Sequence, residues 1–358
     1  MKTPNLFIPG PTDVAPEILQ TMTTPMIGHR VSDFAGLFQR FKTPLQRLFF
    51  TKNPVYVSTS SATGVMEGSL RNASKKRILS CVNGAFSERW FELAKANNRA
   101  ADALSFEWGQ AVKPDAVKKA LETGKYDAVT VVHNETSTGV MSPLAEIGEV
   151  AKKFPAVFLL VDAVSSLAGA KIEADAWGID VLLAGSQKCL ALPPGICVFS
   201  VSPRVLERAK TIPDRGGYFD FIDFHKSWEK DQTPNTPVLP LLYALAAQME
   251  RFEKEGLENR FARHVQMAKI CREWGLSRGF ELFPEKGYES VSLTTLKNTR
   301  NIDLKVLNKA LKEKRNAIIS DGYGKLKGVT IRIAHMGEIT PARLQALLGW
   351  IDEELTGT

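Results

Sequence analysis

Two ionisable side chains, Asp162 and Lys188, stand next to strongly apolar runs of the sequence. Asp162 ends "VFLLVD" (residues 157–162), and Lys188 lies in a polar loop between apolar runs at residues 181–184 and 196–201. An amine partly removed from water loses pKa, which suits it to Schiff-base formation or proton transfer. A buried carboxylate is costly without a partner, and a protonated ring nitrogen would serve as one. The alternatives are a surface lysine on a loop and an aspartate that caps a helix.

A third loop, "STSSATGVMEG" (residues 58–68), joins an apolar run to a helical pattern. The small residues at 60–64 leave the backbone N–H groups of the helix start free to face an anion, and phosphate is the usual one. The alternative is an ordinary capped helix start. A phosphate cradle, a pyridinium partner and a Schiff-base lysine, in this order on successive strands, are the groups that pyridoxal phosphate requires.

The elements that must position these loops form a regular series. From about residue 16 to 200, short continuous apolar runs alternate with amphipathic stretches, which predicts strands buried on both faces and covered by helices. The sequence therefore predicts an α/β fold with a mostly parallel sheet, and ligands of such sheets bind beyond the carboxyl ends of the strands. The predicted strands span residues 55–59, 77–81, 128–132, 157–162, 180–185 and 196–201.

The chain is too long for one small core and suits a large and a small unit. We predict an N-terminal arm at residues 1–15, a large domain at 16–245 and a smaller C-terminal α+β domain at 246–358. In the C-terminal part, helices are predicted at about 239–255 and 257–278 and again at 303–314 and 341–355. Strands are predicted near 280–283, 290–296 and 329–335.

Composition narrows the class of protein. The 358 residues carry a net charge of +7, but the basic residues are scattered and no aromatic residues interleave with them, so we expect no nucleic-acid role. No apolar run is long enough for a membrane helix or a secretory signal. The four cysteines show no metal-like spacing, so we expect no metal, buried free thiols and a cytoplasmic location. A nicotinamide oxidoreductase would need a GxGxxG after the first strand, which is missing.

Several motifs, quoted at the end of this paragraph, resemble those of class V aminotransferases of fold type I, close to alanine–glyoxylate and serine–pyruvate aminotransferases. The resemblance covers nearly the whole chain. It implies a pyridoxal 5'-phosphate enzyme with a seven-stranded sheet sandwiched by helices, and a homodimer with a shared active site. The motifs are "PGPTDVAPEIL", "GHRVSDF", "HNETSTGV", "VDAVSSLAG", "GSQKCLALPPG" and "IRIAHMG".

The resemblance also implies roles for single residues. Lys188 would form the Schiff base with the cofactor, and Asp162 would bind its ring nitrogen. Phe86, in "CVNGAFSERW", would stack on the pyridine ring, where cysteine desulfurases have histidine. The remaining cofactor contacts would be Ser61, Ala62, Thr63 and Gln187 at the phosphate, Thr136 at the phenolic oxygen, Val164 on the other ring face, and Thr233 and Thr236 reaching the phosphate of the second subunit.

Substrate recognition rests on fewer residues. Arg332, inside the apolar pattern "VTIRIAH", suits a planar carboxylate through two parallel hydrogen bonds, as in the family, and its alternative is an edge-strand surface residue. Gly10 would let the N-terminal backbone approach the substrate. His29 and Arg30 would sense an acidic group or order the N-terminal segment. The glycine-rich "GYGKLKG" (residues 322–328) is interpreted as a turn at the site entrance.

The expected reaction is a ping-pong transamination between alanine or serine and glyoxylate or pyruvate. A phosphoserine or aspartate aminotransferase on the same scaffold is the alternative. Desulfurase chemistry is disfavoured because Cys189 abuts Lys188 and no flexible cysteine loop is visible. A binding protein without catalysis is the alternative from another class.

Overall fold

The computed structural model describes residues 5–356 and contains fourteen strands and twelve α-helices in that range. The strands are β1 (Asn5–Phe7), β2 (Val55–Ser58), β3 (Ile78–Val82), β4 (Ala101–Ser105), β5 (Ala128–Val132), β6 (Asn134–Glu135), β7 (Val140–Met141), β8 (Phe158–Asp162), β9 (Val181–Gly185), β10 (Cys197–Val201), β11 (Glu281–Leu282), β12 (Leu293–Lys297), β13 (Ala317–Asp321) and β14 (Thr330–Ala334). The helices are α1 (Pro16–Thr21), α2 (Ser32–Leu48), α3 (Ala62–Ala73), α4 (Ala85–Ala96), α5 (Pro114–Leu121), α6 (Leu144–Ala151), α7 (Pro203–Lys210), α8 (Phe221–Trp228), α9 (Leu239–Glu255), α10 (Leu257–Ser277), α11 (Leu304–Arg315) and α12 (Pro341–Thr356).

Seven strands form the large sheet, in the order β2-β10-β9-β8-β5-β3-β4. Only β10 runs antiparallel to its neighbours, β2 and β9, and the other pairings are parallel. This confirms the predicted mostly parallel seven-stranded sheet. The strand that the apolar runs did not reveal is β4, which lies at the sheet edge and has no fully buried residue.

Helices cover both faces of this sheet because its central strands are apolar on both sides. Every residue of β5, β8, β9 and β10 is buried. One face packs on α2, α5, α6 and α9, and the other packs on α3, α4, α7 and α8. The strands consequently direct their carboxyl ends, and the loops that follow them, to one open edge of the sandwich.

A second sheet of five strands, in the order β1-β13-β14-β12-β11, forms the smaller C-terminal unit together with α10, α11 and α12. The N-terminal strand β1 pairs in parallel with β13, so the predicted N-terminal arm contributes a strand to this unit. The sequence did not predict β1 or β13, since neither has a long apolar run.

The predicted domain boundary at residues 245 and 246 falls inside α9. Met249 and Phe252 of α9 are buried in the core of the large sheet. Gly256 follows with φ of +80°, a conformation that favours glycine, and separates α9 from α10. We therefore propose Gly256 as the division between the two units.

Two features of the described residues bear on the compositional expectations. All four cysteines are buried and unpaired. No helix within residues 5–356 combines the length and the apolarity that crossing a bilayer requires.

Candidate active site

A cavity of about 170 Å³ opens at the carboxyl ends of the large-sheet strands. Its walls come from the start of α3, the start of α4 and the segments after β5, β8 and β9, as expected for an open α/β sheet. Nine residues predicted from the sequence line it: Ser61, Ala62, Thr63, Phe86, Thr136, Asp162, Val164, Gln187 and Lys188. Four more lining residues were missed: Met66, Arg89, Val132 and Asn134.

Lys188 lies in the loop between β9 and β10 and points into this cavity. Burial lowers the pKa of its amine to about 8, and the nearby Arg332 charge acts in the same direction, whereas Asp162 opposes it. The amine donates a hydrogen bond to the carbonyl oxygen of Pro9, and the Lys188 carbonyl accepts one of 3.0 Å from the Thr12 hydroxyl. The loop is therefore held by the N-terminal segment and its amine is available near neutral pH.

Asp162 is the last residue of β8, and only 5% of it is exposed. Burial raises the pKa of its carboxyl to about 6; the Glu135 charge adds to the rise, and the Val164 backbone N–H, at 2.8 Å, and the Lys188 charge oppose it. Because β9 follows β8 without an intervening helix, the alternative of a helix-capping aspartate is wrong. Burial disfavours the charged form of this carboxyl, so a cation that enters the cavity would stabilise the carboxylate.

The first turn of α3 forms the opposite wall. Ser61 precedes the helix in an extended conformation and its side chain makes no capping hydrogen bond, which argues against the ordinary capped start. The first N–H groups of a helix have no intrahelical acceptor, so this wall offers donors and a positive dipole end to an anion. The absence of a side chain at Gly64 has a packing reason, because a Cβ there would lie 2.4 Å from the Phe219 ring.

Phe86 is held in place by a buried carboxylate that the sequence analysis did not single out. Glu135 is completely buried and accepts the backbone N–H of Phe86 at 3.2 Å and that of Ser87 at 2.9 Å. The hydroxyl groups of Ser87 and Ser137 donate to the same carboxylate, at 3.0 and 2.6 Å. Glu135 thereby satisfies the orphan donors at the start of α4 and fixes the backbone from which the Phe86 ring extends.

Asn134 and Arg89 are the polar lining residues that were missed. Asn134 donates to the Ser165 carbonyl and the Ser292 hydroxyl, at 3.2 and 3.0 Å, and its buried Oδ1 has no partner among the residues described. Arg89 lies 3.4 Å from the Thr63 hydroxyl, and no carboxylate of residues 5–356 forms an ion pair with it. Both lie inside quoted motifs, Asn134 in "HNETSTGV" and Arg89 in "CVNGAFSERW", but no local pattern distinguished them.

Arg332 lies in the middle of β14, which has neighbours on both sides, so the edge-strand alternative is wrong. Only 7% of the residue is exposed, and burial lowers the pKa of its guanidinium to about 10. Its Nε donates to the Asp321 carbonyl at 2.9 Å and its Nη1 to the Thr136 carbonyl at 3.1 Å. Arg332 is not among the residues that line the cavity, but its bond to Thr136 places it beside the cavity wall. Within the described range no carboxylate forms an ion pair with it.

The other predicted contacts lie outside the cavity of this subunit. Gly10 closely approaches the Lys188 side chain, since a Cβ there would lie 2.9 Å from Nζ, and its predicted approach to the substrate stays a prediction. His29 is half-buried, and its neighbour Arg30 donates to the carbonyl oxygens of Thr233 and Pro234, at 2.7 and 3.0 Å. This arrangement fits the structural role considered for the "GHR" segment. Thr236 is exposed.

The sequence matches the Aminotransferase class-V family over residues 42–335. The chain belongs to this family. A class V aminotransferase is an enzyme that transfers amino groups, so the predicted enzyme class is confirmed. An uncharacterized aminotransferase of Methanocaldococcus jannaschii is 40% identical over 97% of this chain and 91% of its own length. A serine–glyoxylate aminotransferase of Methylorubrum extorquens is 32% identical over 95% of this chain and 88% of its own.

The fold of this class V aminotransferase is shared with solved structures. The crystal structure of an alanine–glyoxylate aminotransferase from Nostoc sp. superposes with a TM-score of 0.93 and 29% identity, covering 99% of this chain and 96% of the other. The predicted fold type I architecture is thus confirmed.

The residues around the cavity suit a phosphorylated pyridine aldehyde. The α3 start offers donors to a phosphate, Phe86 offers an aromatic face, and Asp162 offers a buried carboxylate to a ring cation. The buried Oδ1 of Asn134 has no hydrogen-bond partner among the residues described, so one acceptor in the cavity wall remains for a ligand. Lys188 supplies the amine with which an aldehyde would react.

Proposed function

We propose that this class V aminotransferase uses pyridoxal 5'-phosphate to move an amino group between alanine or serine and glyoxylate or pyruvate. The observation that carries the proposal is the meeting of Lys188 and Asp162 in one cavity, an amine with a lowered pKa and a carboxyl with a raised one. The names of the serine–glyoxylate and alanine–glyoxylate relatives support glyoxylate as the amino acceptor.

The cofactor supplies, when bound, an aldehyde that reacts with amines and a ring that withdraws electrons from the substrate Cα. Ser61, Ala62, Thr63 and Gln187 would hold its phosphate, and Asp162 would hold a proton on its ring nitrogen. At about 4 Å and an effective dielectric constant near 20, such a pair is stabilised by about 4 kcal/mol before desolvation. Phe86 and Val164 would pack on the two ring faces, and Thr136 would contact the phenolic oxygen.

Lys188 has a second role as the base of the reaction. With a pKa of about 8, part of its amine is unprotonated near neutral pH, so Nζ can take the proton from the substrate Cα and later return one. Arg332 would orient the substrate through its carboxylate, using the N–H groups that do not bond to Asp321 and Thr136. The amino donor leaves as a 2-oxo acid before the acceptor binds, which gives ping-pong kinetics.

The alternative of a phosphoserine or aspartate donor would require a second cation for the acidic side chain. Arg89 lines the cavity without a carboxylate partner in residues 5–356, which favours keeping this alternative. It lies beside Thr63, however, at the end where the cofactor phosphate would bind. We therefore propose alanine or serine as the amino donor rather than phosphoserine or aspartate.

We also propose that the enzyme is a cytoplasmic homodimer with a shared site. Thr233 and Thr236 lie apart from the cavity of their own subunit, and they would reach the phosphate of the other subunit. Thr236 is exposed, whereas Thr233 is buried and donates its hydroxyl to the Asn235 carbonyl at 2.8 Å, a bond that it would have to exchange. The large apolar side chains of Met26, Val31 and Tyr218 are 60, 52 and 51% exposed, which suits an interface. Thr236→Ala subunits should be less active than the unmodified protein, and they should gain activity when mixed with inactive Lys188→Ala subunits, because a mixed dimer contains one complete site.

A donor panel tests the function directly. The purified protein should turn yellow with pyridoxal phosphate and lose that colour with alanine or serine, and glyoxylate should restore it. Phosphohydroxypyruvate and aspartate distinguish the alternative. The Lys188→Ala variant should bind the cofactor without a covalent link and turn over no substrate. A colourless protein, or normal rates in that variant, would refute the proposal.

A further inference from the structure

The segment between β13 and β14, residues 322–329, forms a loop of the small unit that is closed by its own hydrogen bonds. Asp321 accepts hydrogen bonds from the backbone N–H groups of Gly322 and Gly328, at 2.6 and 2.8 Å. A Cβ at position 322 would lie 1.9 Å from the Leu326 carbonyl oxygen, so the loop closes tightly on itself. Its shape is therefore determined within the small unit.

This loop places Tyr323 across the junction between the two units. The Tyr323 ring centre lies 5.3 Å from that of Phe86 in the large unit, at an interplanar angle of 36°. The guanidinium carbon of Arg332 lies 5.7 Å from the same Tyr323 ring centre. Tyr323 thus touches both the aromatic wall of the cavity and the unpaired cation beside it, and 38% of it remains exposed at the entrance.

We propose that Tyr323 is a specificity-determining residue whose ring limits the size of the substrate side chain. The proposal rests on the proposed function, because it assumes that Arg332 binds the substrate carboxylate and Lys188 acts at Cα. A substrate held between those two groups lies beside the Tyr323 ring. The cofactor would occupy the cavity of about 170 Å³, so the substrate side chain would extend beyond it toward the entrance, where the Tyr323 ring packs beside Phe86.

A second contact of the same loop provides a matched control. The amine of Lys325 lies 4.5 Å from the Trp108 ring centre, which also joins the loop to the large unit. Lys325→Ala removes that contact but leaves the rings of Tyr323 and Phe86 in place. If the loop mattered only because it is attached to the large unit, Lys325→Ala and Tyr323→Ala would have the same effect on substrate preference.

The test compares kcat/KM for alanine, 2-aminobutyrate, norvaline and norleucine, with glyoxylate as acceptor, in the holoenzyme and three variants. In Tyr323→Ala the norvaline-to-alanine ratio should rise at least about tenfold, since a methylene in a closed pocket changes discrimination by about 10- to 200-fold. Tyr323→Phe keeps the ring, and it and Lys325→Ala should keep the original ratio. An unchanged ratio in Tyr323→Ala, or an equal rise in Lys325→Ala, would overturn the proposal.

Binding of unreactive carboxylates gives a readout besides turnover. Dissociation constants of propanoate, butanoate and pentanoate, measured by ligand NMR, should increase with chain length in the unmodified protein and decrease with chain length in Tyr323→Ala. The same trend in both proteins would refute the role of Tyr323. Failure of the proposed function would instead appear as no turnover of any donor by the unmodified protein.

Discussion

Arg332 in the small unit donates a hydrogen bond of 3.1 Å to the backbone carbonyl oxygen of Thr136 in the large unit. Thr136 lines the cavity, so the bond brings the guanidinium to the edge of the site. Nε and Nη1 each donate one hydrogen bond to a backbone carbonyl, which leaves the remaining N–H groups of Nη1 and Nη2. Those groups are left without a carboxylate among the residues described. A substrate carboxylate would accept hydrogen bonds from them, and its arrival would also tie the two units more closely.

Replacing this cation should weaken the binding of both substrates. Arg332→Gln keeps a hydrogen-bonding group but loses the charge, and charge-assisted hydrogen bonds contribute about 1.5–3 kcal/mol. We expect kcat/KM to fall about 10- to 100-fold for amino donor and oxo acid alike, mainly through KM, and Arg332→Lys to rescue it only partly. Arg315→Gln, which breaks an exposed pair with Glu353, is the control and should change kcat/KM less than about threefold. Unchanged KM values in Arg332→Gln would exclude the carboxylate role.

Asp162 should destabilise the cofactor-free protein above pH 6. Its folded-state pKa of about 6 exceeds the ordinary value near 3.9, so between these values the folded protein binds more protons than the unfolded chain. The free energy of unfolding therefore falls as pH rises through this window, and the loss is complete above pH 6. Asp162→Asn removes the buried charge and should raise the free energy of unfolding at pH 7.5 by up to about 3 kcal/mol.

Urea denaturation at two pH values checks this sign. At pH 4.5 the advantage of Asp162→Asn should shrink to about 1 kcal/mol or less, because the carboxyl of the folded protein is already mostly protonated. The same variant should lose more than about a hundredfold in kcat, since an amide cannot hold a proton on a ring nitrogen as a carboxylate does. A less stable Asp162→Asn protein at pH 7.5 would contradict the assigned cost of burial.

Lys188 and Asp162 could be predicted from the sequence because each contrasts with an apolar run beside it. That contrast is a local signal, and strand ends of a parallel sheet converge on one edge, so the two residues meet as expected. Phe86, Thr136, Val164 and Gln187 were predicted from the family resemblance alone, and they line the same cavity. Glu135 stands in the polar motif "HNETSTG", where no contrast marks it. Its contacts with Phe86 and Ser87 join positions 48 and 49 residues apart, and only the packing of α4 brings them together.

The strands that were missed, β1, β4 and β13, also lack a local contrast in the sequence. The apolar-run criterion detects strands that are buried on both faces, and β4 is an edge strand with no buried residue. The pairing of β1 with β13 joins the chain start to residues 317–319, a relationship that no local pattern encodes. Partner-dependent positions such as Thr233 and Thr236 stay predictions for a similar reason, since their proposed contacts are with a second copy of the chain.

Glu135 should prove to be a positioning residue. Glu135→Gln preserves the shape but turns an amide N–H₂ toward the backbone donors of Phe86 and Ser87, so buried donors lose their acceptor. We expect the free energy of unfolding to fall by about 2–4 kcal/mol and the dissociation constant for pyridoxal phosphate to rise more than about tenfold, because the Phe86 ring is no longer held. Glu88→Gln, an exposed change on the same helix, should change both quantities little. Unaltered cofactor affinity in Glu135→Gln would limit Glu135 to a stabilising role.

The buried guanidinium of Arg260 should contribute strongly to the free energy of unfolding. It is completely buried, donates to the carbonyl oxygens of Cys189 and Ala168 at 2.8 and 3.0 Å, and pairs with Glu255 at 2.8 Å. Removing the buried member of such a pair costs about 3–5 kcal/mol. Here the cost falls chiefly on the carbonyl groups of Cys189 and Ala168, which lose their donor, because Glu255 is 28% exposed and keeps its pair with Arg263 at 2.8 Å.

Arg260→Met should therefore lower the free energy of unfolding by about 3–5 kcal/mol in urea denaturation. Arg40→Ala breaks an exposed pair with Glu250 whose length, 2.7 Å, is close to the 2.8 Å of the Arg260–Glu255 pair. This substitution should cost less than about 1 kcal/mol, since water compensates both charges. Cys189 is next to Lys188, so loss of its carbonyl's donor should also loosen the loop that carries the amine. Equal effects of the two substitutions would mean that burial does not determine the contribution of this ion pair.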